Sequence, residues 1–134
     1  MERNTRQRAA ILEALQEANR PLTPQEILEL AGRKLATLGQ ATVYRAIKSL
    51  LAEQALQAVS IPGEPDRYEV AGKPHHHHFY CRACSRVYEM EGCPGPLSGL
   101  APRGFVVDAH EVLLYGRCAA CAAPRARRKA AAGR

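Results

Sequence analysis

Apolar residues recur at helical spacing through the first 55 residues of the chain. The spacing predicts three helices, over residues 6–18, 24–31 and 41–51. The second helix has the clearest start, because Thr23 offers a capping hydroxyl, Pro24 takes the first helical position and Glu26 completes a capping box. For the first helix, Asn4 or Thr5 is the expected cap. This part of the chain is therefore predicted to be helical.

The third predicted helix has an apolar face, with polar side chains elsewhere. Its apolar face consists of Val43, Ile47, Leu50 and Leu51. Two short alternating segments follow, 56–61 and 67–70, separated by a turn rich in proline and glycine, and they predict a hairpin. Three helices followed by a hairpin form the winged helix-turn-helix pattern, in which the third helix enters the DNA major groove. The pattern alone leaves open an ordinary helical bundle without DNA binding.

From residue 75 onward the pattern changes to short strands. Strands are predicted at 75–80, 87–90, 105–107 and 111–115, and the segment 92–104 has room for a helical turn or two. The whole chain is therefore predicted to be α+β. The predicted organisation is a DNA-binding domain at 1–71, a linker at 72–74, a metal-binding domain at 75–123 and a basic disordered tail at 124–134.

Net charge and apolar content limit the partners and the location that the protein can have. The net charge of +6 favours an anionic partner such as nucleic acid, but six basic residues lie from residue 117 onward, so charge alone is weak support. No apolar run approaches the roughly 20 residues that span a bilayer, and the N-terminus has no apolar signal core. The expected location is the cytoplasm, with no membrane partner. Thiols stay reduced there, which favours metal or redox chemistry for the five cysteines.

Four of the cysteines form two Cys-x-x-Cys pairs, Cys81 with Cys84 and Cys118 with Cys121. Each pair places two sulfur atoms on one tight turn, and two such turns close a tetrahedral shell around Zn²⁺. A disulfide framework, a dithiol redox site and an iron–sulfur cluster are the alternatives. A redox Cys-x-x-Cys normally opens a helix after a strand, whereas Cys81 and Cys84 lie between two predicted strands. A structural zinc site is therefore predicted.

Four consecutive histidines, His75 to His78, lie just before the first cysteine pair. On an extended segment alternate side chains point to opposite faces, so His75 and His77 are expected on one face and His76 and His78 on the other. One strand would thus supply two metal sites. The alternative is an exposed polar loop. Candidate completing ligands are Glu69, Glu89, Glu91, Cys93, Asp108, His110 and Glu111.

In combination, these motifs resemble the ferric uptake regulator (Fur) family of metal-dependent bacterial transcriptional repressors. The resemblance covers roughly residues 5–122. It rests on Thr5-Arg-Gln-Arg8 with Ile11-Leu12, Ala41-Thr-Val-Tyr-Arg45, His75–His78 running into Cys81-x-x-Cys84, and Tyr115-Gly-Arg-Cys118-x-x-Cys121. It implies a winged helix-turn-helix domain followed by a small α+β dimerisation domain with a four-cysteine zinc site. The implied partners are a second copy of the chain and a double-stranded, palindromic DNA operator.

The resemblance also implies roles for individual residues. The DNA contacts would be made by Arg8, Thr42, Tyr44 and Arg45. The structural zinc would be held by Cys81, Cys84, Cys118 and Cys121. The sensing site would consist of His76, His78 and Glu89, with Glu69 as a fourth ligand. A third site would consist of His75, His77 and His110, with Cys93 at the position that usually carries glutamate.

The resemblance favours a zinc-sensing repressor of metal-uptake genes, similar to the zinc uptake regulators, which often have a run of four histidines. Two departures keep sensing of iron, manganese or peroxide open as alternatives. Residues 66–74 contain no cysteine of the kind that zinc-sensing members supply, and Pro21 lies near the place where iron- and peroxide-sensing members carry a histidine. The regulatory metal is thus expected to be Zn²⁺, or otherwise Fe²⁺ or Mn²⁺. Outside the family, a zinc-dependent hydrolase or a zinc storage module would use similar ligands, but a helical His-Glu-x-x-His is absent and no enzyme activity is expected.

Overall fold

The protein was analysed as a computed structural model, which describes residues 2–124. The fold is α+β, as predicted. The chain divides into two compact units between Pro74 and His75. The domain bounds and the linker at 72–74 stay predictions, and the predicted disordered tail lies, apart from Pro124, outside the described residues.

The N-terminal unit contains three helices and a hairpin. Their bounds are α1 Glu2–Ala18, α2 Pro24–Gly32, α3 Gln40–Ala52, β1 Leu56–Val59 and β2 Arg67–Val70. Helix α1 begins earlier than predicted and includes Asn4 and Thr5, so the expectation that either caps it is wrong. The capping box of α2 is confirmed, since Glu26 N–H donates to Thr23 Oγ1 at 3.2 Å and Thr23 N–H donates to Glu26 Oε1 at 3.0 Å.

The core of this unit lies where the three helices meet. Ile11, Ile27 and Leu50 are completely buried there, which is the main apolar contribution to its stability. Strands β1 and β2 pair in antiparallel fashion, with Gln57 opposite Glu69. The interior of helix α3 matches the predicted apolar face, except that Leu51 is only half-buried.

The C-terminal unit, described from His75 to Pro124, is built around a three-stranded sheet. Its elements are β3 His77–Cys81, β4 Val87–Met90, a 3₁₀ turn Ser98–Leu100, β5 Leu113–Gly116 and the short helix α4 Ala119–Ala122. The strand order is β4-β3-β5, with β4 antiparallel and β5 parallel to the central β3. The histidine-bearing strand therefore has a neighbour on both edges.

The strand predicted at 105–107 is wrong. The segment is irregular, and Phe105 and Val106 are 69% and 85% exposed. Among residues 2–124, the sheets contain only β1 to β5, so this segment pairs with no strand, and the Phe105 N–H donates to the Pro102 carbonyl at 3.1 Å instead. A strand-like sequence without a partner strand does not form a strand by itself. No helix in the described part of the chain is long and apolar enough to span a membrane.

Candidate metal centres and DNA-contact residues

The four paired cysteines converge at one end of the C-terminal sheet. Cys81 ends β3, and parallel pairing places it opposite Gly116 at the end of β5. The chain then turns into α4, so Cys118 and Cys121 arrive beside Cys81 and Cys84. All four sulfur atoms lie within 4.8 Å of one another, and no disulfide joins them. The sheet therefore brings together two pairs that are separated by 33 residues of sequence.

Backbone hydrogen bonds stabilise a thiolate in this cluster. Burial by itself would raise the pKa of the Cys81 thiol, but the N–H groups of Cys118 and Cys84 donate to its sulfur at 3.3 and 3.4 Å, and the pKa falls to about 6. The neighbouring Cys118 sulfur and burial raise the pKa of Cys121 to about 12. Without a cation, therefore, the thiolates oppose one another's ionisation.

The donor set fits a zinc ion. Four thiol sulfurs are the ligands of closed structural zinc sites, and a divalent cation would remove the repulsion that holds the pKa of Cys121 high. Cys81, Cys84, Cys118 and Cys121 would hold the ion. Since four protein ligands leave no coordination position for a substrate, the ion would supply stability rather than catalysis.

A second cluster lies on one face of the histidine run. It consists of His75, His77, Cys93 and His110, whose donor atoms all lie within 4.8 Å of one another. His110 Nε2 is 3.2 Å from His75 Nε2 and 3.4 Å from Cys93 Sγ. The loop before the 3₁₀ turn thus carries Cys93 to the histidines.

His77 is the most enclosed member of this cluster, with 2% of its surface exposed. Val112 N–H donates to its Nδ1 at 3.0 Å, and its Nε2 is buried without a hydrogen-bond partner. Desolvation lowers the pKa of His77, with a further contribution from the neighbouring His75 and His110. The neutral ring that a metal requires is thereby favoured.

His76 and His78 lie together on the opposite side of the run. Their ring centroids are 4.8 Å apart, and His76 Nε2 lies 3.7 Å from Glu89 Oε1. Glu89 stands opposite His78 in the β3–β4 register, so strand pairing positions the carboxylate. Glu69 belongs to the N-terminal unit, where it is 2% exposed and accepts a 2.6 Å hydrogen bond from Gln57 Nε2.

Three of the predicted DNA-contact residues belong to the start of α3. Tyr44 is 49% exposed, and Arg45 donates a 3.4 Å hydrogen bond to Thr42 Oγ1. Arg8, on α1, instead forms its contacts within the protein. Its guanidinium pairs with the Glu53 carboxylate and donates to Ser49 Oγ at 3.3 Å.

Several of these contacts have no sequence signal of their own. Glu53 is 45 residues from Arg8, and the donation from Val112 uses a backbone group that every non-proline residue carries. Of the candidate ligands listed from sequence, Glu89 belongs to none of the three clusters found among the described residues, although its Oε1 lies 3.7 Å from His76 Nε2. The exposed Glu91, Asp108 and Glu111 belong to none of them either. Exposed carboxylates of that kind need no ligand role.

Comparison with known proteins agrees with this architecture. Residues 2–112 match the Ferric uptake regulator family. The ferric uptake regulation protein of Campylobacter jejuni is 31% identical over 126 residues, covering 87% of this chain and 78% of that protein.

Solved structures show the same fold. The Helicobacter pylori ferric uptake regulator, which has three functional metal-binding sites, superposes with a TM-score of 0.70 at 23% identity and covers 89% of this chain and 81% of that one. FurB of Mycobacterium tuberculosis, a zinc uptake regulator, is 27% identical with a TM-score of 0.50, covering 89% and 95% of the two chains. The family match spans most of the chain, and so this protein belongs to the ferric uptake regulator family.

Proposed function

We propose that this chain is a metal-responsive, DNA-binding transcriptional repressor that senses zinc in the cytoplasm and controls metal-uptake genes. The observation that carries the proposal is the histidine run His75–His78. Its alternate side chains contribute to separate ligand clusters, while the cysteine pairs close a third cluster at the end of the same strand. Such an arrangement suits a regulator that combines structural and exchangeable metal sites.

The N-terminal unit supports DNA binding as a winged helix. Helix α3 would be the recognition helix in the major groove, and the β1–β2 hairpin would be the wing. Tyr44 is half exposed near the start of α3, with Arg45 beside it, as base and phosphate contacts require. Thr42 holds the Arg45 guanidinium and would order it before DNA arrives.

The sensing site is proposed to consist of His76, His78 and Glu89 with Glu69. The ring centroids of His76 and His78 are 4.8 Å apart, and His76 Nε2 lies 3.7 Å from Glu89 Oε1, which supports a shared ion. Metal binding at this site would be coupled to DNA binding, and the coupling would be reciprocal.

A homodimer is proposed because the C-terminal unit leaves large apolar side chains exposed. Phe105, Val106, Leu114 and Tyr115 are each at least 42% exposed. Exposed apolar surface of this kind marks an interaction site. A second copy would give the segment 105–107 the strand partner that it lacks among residues 2–124, and two recognition helices would then read a palindromic operator.

Zinc is proposed as the sensed metal because the two histidine clusters are rich in imidazole and one contains a thiol. The zinc uptake regulator FurB is among the structural relatives. Iron and manganese are the alternatives, because Glu89 and Glu69 are ligands that harder ions prefer. Peroxide sensing would require bound iron at the same histidines.

Metal-dependent DNA binding tests this function directly. A duplex library with a randomised palindrome would be selected with the zinc-loaded protein, and the selected site compared with a scrambled duplex in gel shifts at buffered Zn²⁺, Fe²⁺ and Mn²⁺. We expect binding to the selected site to require metal, to respond at the lowest free concentration of zinc, and to weaken steeply with salt. Equal binding with and without exchangeable metal would rule out regulation by metal.

Two substitutions on α3 separate sequence reading from phosphate binding. Arg45→Ala is expected to weaken binding to selected and scrambled duplexes alike and to lower the salt dependence by about one phosphate contact. Tyr44→Ala should instead reduce the difference in binding free energy between the selected and the scrambled duplex, by roughly 1–3 kcal/mol. Gln25→Ala on α2 serves as the control. Identical effects of Tyr44→Ala and Arg45→Ala on both duplexes would contradict these roles.

A further inference from the structure

The cluster around His110 has an unusual donor set for one shell, with three imidazoles and a single thiol. Its members are His75, His77, Cys93 and His110. Imidazole suits zinc, copper, nickel and iron, whereas a thiolate favours softer ions and disfavours manganese, for which carboxylates and water are the better ligands. The thiol of Cys93 is therefore the group that sets this cluster apart chemically.

The spacing of the donors fits a small tetrahedral shell. Zinc bonds of about 2.0–2.1 Å to nitrogen and about 2.3 Å to sulfur place tetrahedral donors roughly 3.3–3.8 Å apart. His110 Nε2 lies 3.2 Å from His75 Nε2 and 3.4 Å from Cys93 Sγ. Only small adjustments would bring these three donors around one ion.

The buried His77 gives an independent indication that a ligand belongs here. Its Nε2 is enclosed without a hydrogen-bond partner, and a buried polar atom of this kind costs about 1–3 kcal/mol unless something satisfies it. A cation at Nε2 would do so. The ring proton would then have to reside on Nδ1, so filling the site would exchange the Val112 hydrogen bond for a metal bond.

We propose that Cys93 is the specificity-determining ligand of this cluster. Its thiolate closes a shell of three nitrogens and one sulfur that takes Zn²⁺, and the related ions Co²⁺ and Cd²⁺, in preference to Mn²⁺ and Fe²⁺. The inference rests on one part of the proposed function, namely that the chain binds metal at its histidines. It is tested without DNA, so either proposal can fail while the other stands.

Cobalt substitution reports directly on the thiolate. The full chain, with zinc already in the four-cysteine site, would be titrated with Co²⁺ while thiolate-to-cobalt charge-transfer absorption in the near ultraviolet is recorded. We expect a band that saturates at one equivalent per chain, that His76→Ala leaves unchanged, and that Cys93→Ser abolishes. Absence of the band from the wild type, or its persistence in Cys93→Ser, would overturn the proposal.

A metal competition then tests selectivity. Cys93→Asp is expected to lower the zinc affinity of this site by at least about tenfold, by analogy with the loss of groups that support metal ligands, and to leave its manganese affinity equal or higher. An unchanged ratio of zinc to manganese affinity would refute the proposed role. Cys93 is exposed in a loop without regular structure, so both variants should melt at the wild-type temperature in chelator.

Discussion

Replacing Cys118 with serine is expected to remove zinc from the four-cysteine cluster and to unfold the C-terminal unit well below the wild-type melting temperature. This unit has a three-stranded sheet of four- and five-residue strands, which gives it little apolar core of its own. Structural zinc contributes folding free energy directly in such small units. Cys118 also donates its backbone N–H to Cys81 Sγ at 3.3 Å, and its own sulfur lies 3.9 Å from that of Cys84.

The expected decrease in Tm is large because the C-terminal unit is small. A loss of about 4 kcal/mol, at roughly 4–8 °C per kcal/mol for a domain of this length, lowers the Tm of the zinc-loaded protein by more than about 15 °C. Calorimetry with zinc quantified in the purified chain measures both quantities. Cys93→Ser, with zinc supplied to the four-cysteine cluster alone, is the matched control, because Cys93 belongs to a different cluster. If Cys118→Ser retains one tightly bound zinc and the wild-type Tm, the cluster is not a structural zinc site.

His76→Ala is expected to abolish the response of DNA binding to zinc while leaving the protein folded. His76 Nε2 lies 3.7 Å from Glu89 Oε1, and removal of a direct ligand should raise the zinc concentration needed for half-maximal DNA binding by at least about 100-fold, the upper end of what supporting groups contribute. The four cysteines form a separate cluster, so the structural site should keep its ion. Gel shifts on the selected duplex across buffered zinc concentrations measure the shift.

Glu89, in β4, and Glu91, just after β4, give a matched pair of carboxylate substitutions. Glu89→Ala should shift the zinc response in the same direction as His76→Ala, since Glu89 faces His78 in the register of the sheet. Glu91→Ala, two residues further on, removes an exposed carboxylate in place of the one that lies 3.7 Å from His76 Nε2, and should leave the response unchanged. If Glu91→Ala and Glu89→Ala behave alike, the sensing site has been assigned to the wrong ligands.

Features with a short-range physical cause were predictable from the sequence. Thr23 and Glu26 form their capping box because both partners lie within one turn of helix. The strand periodicity of two separates His75 and His77 from His76 and His78, and the structure groups them in these pairs. The two Cys-x-x-Cys spacings likewise predict a four-sulfur cluster, and the four sulfur atoms lie within 4.8 Å of one another.

Features that depend on distant partners were not predictable in this way. The apolar segment 105–107 has strand propensity, but whether it forms a strand depends on a neighbour that is absent from residues 2–124. The pairing of Arg8 with Glu53 joins α1 to the residue that follows α3, and no periodicity connects them. Helix α1 begins earlier than the sequence predicts, because Asn4 and Thr5, residue types that favour the N-cap position, also fit inside a helix.

The interleaving of the two histidine sets at the start of β3 has a consequence for how the coding sequence can change. Strand pairing anchors the register downstream, at Phe79 to Cys81. Deleting any one of the four histidine codons therefore yields the same protein, in which Pro74 takes the place of His75 and only the Cys93 cluster loses a ligand. Inserting one codon between His78 and Cys81 would shift the run in the other direction, so that histidine still occupies positions 75 to 77 and only position 78 loses its imidazole. Shortening the run thus removes one ligand from the Cys93 cluster, whereas a one-residue insertion after it removes one ligand from the His76 and His78 pair.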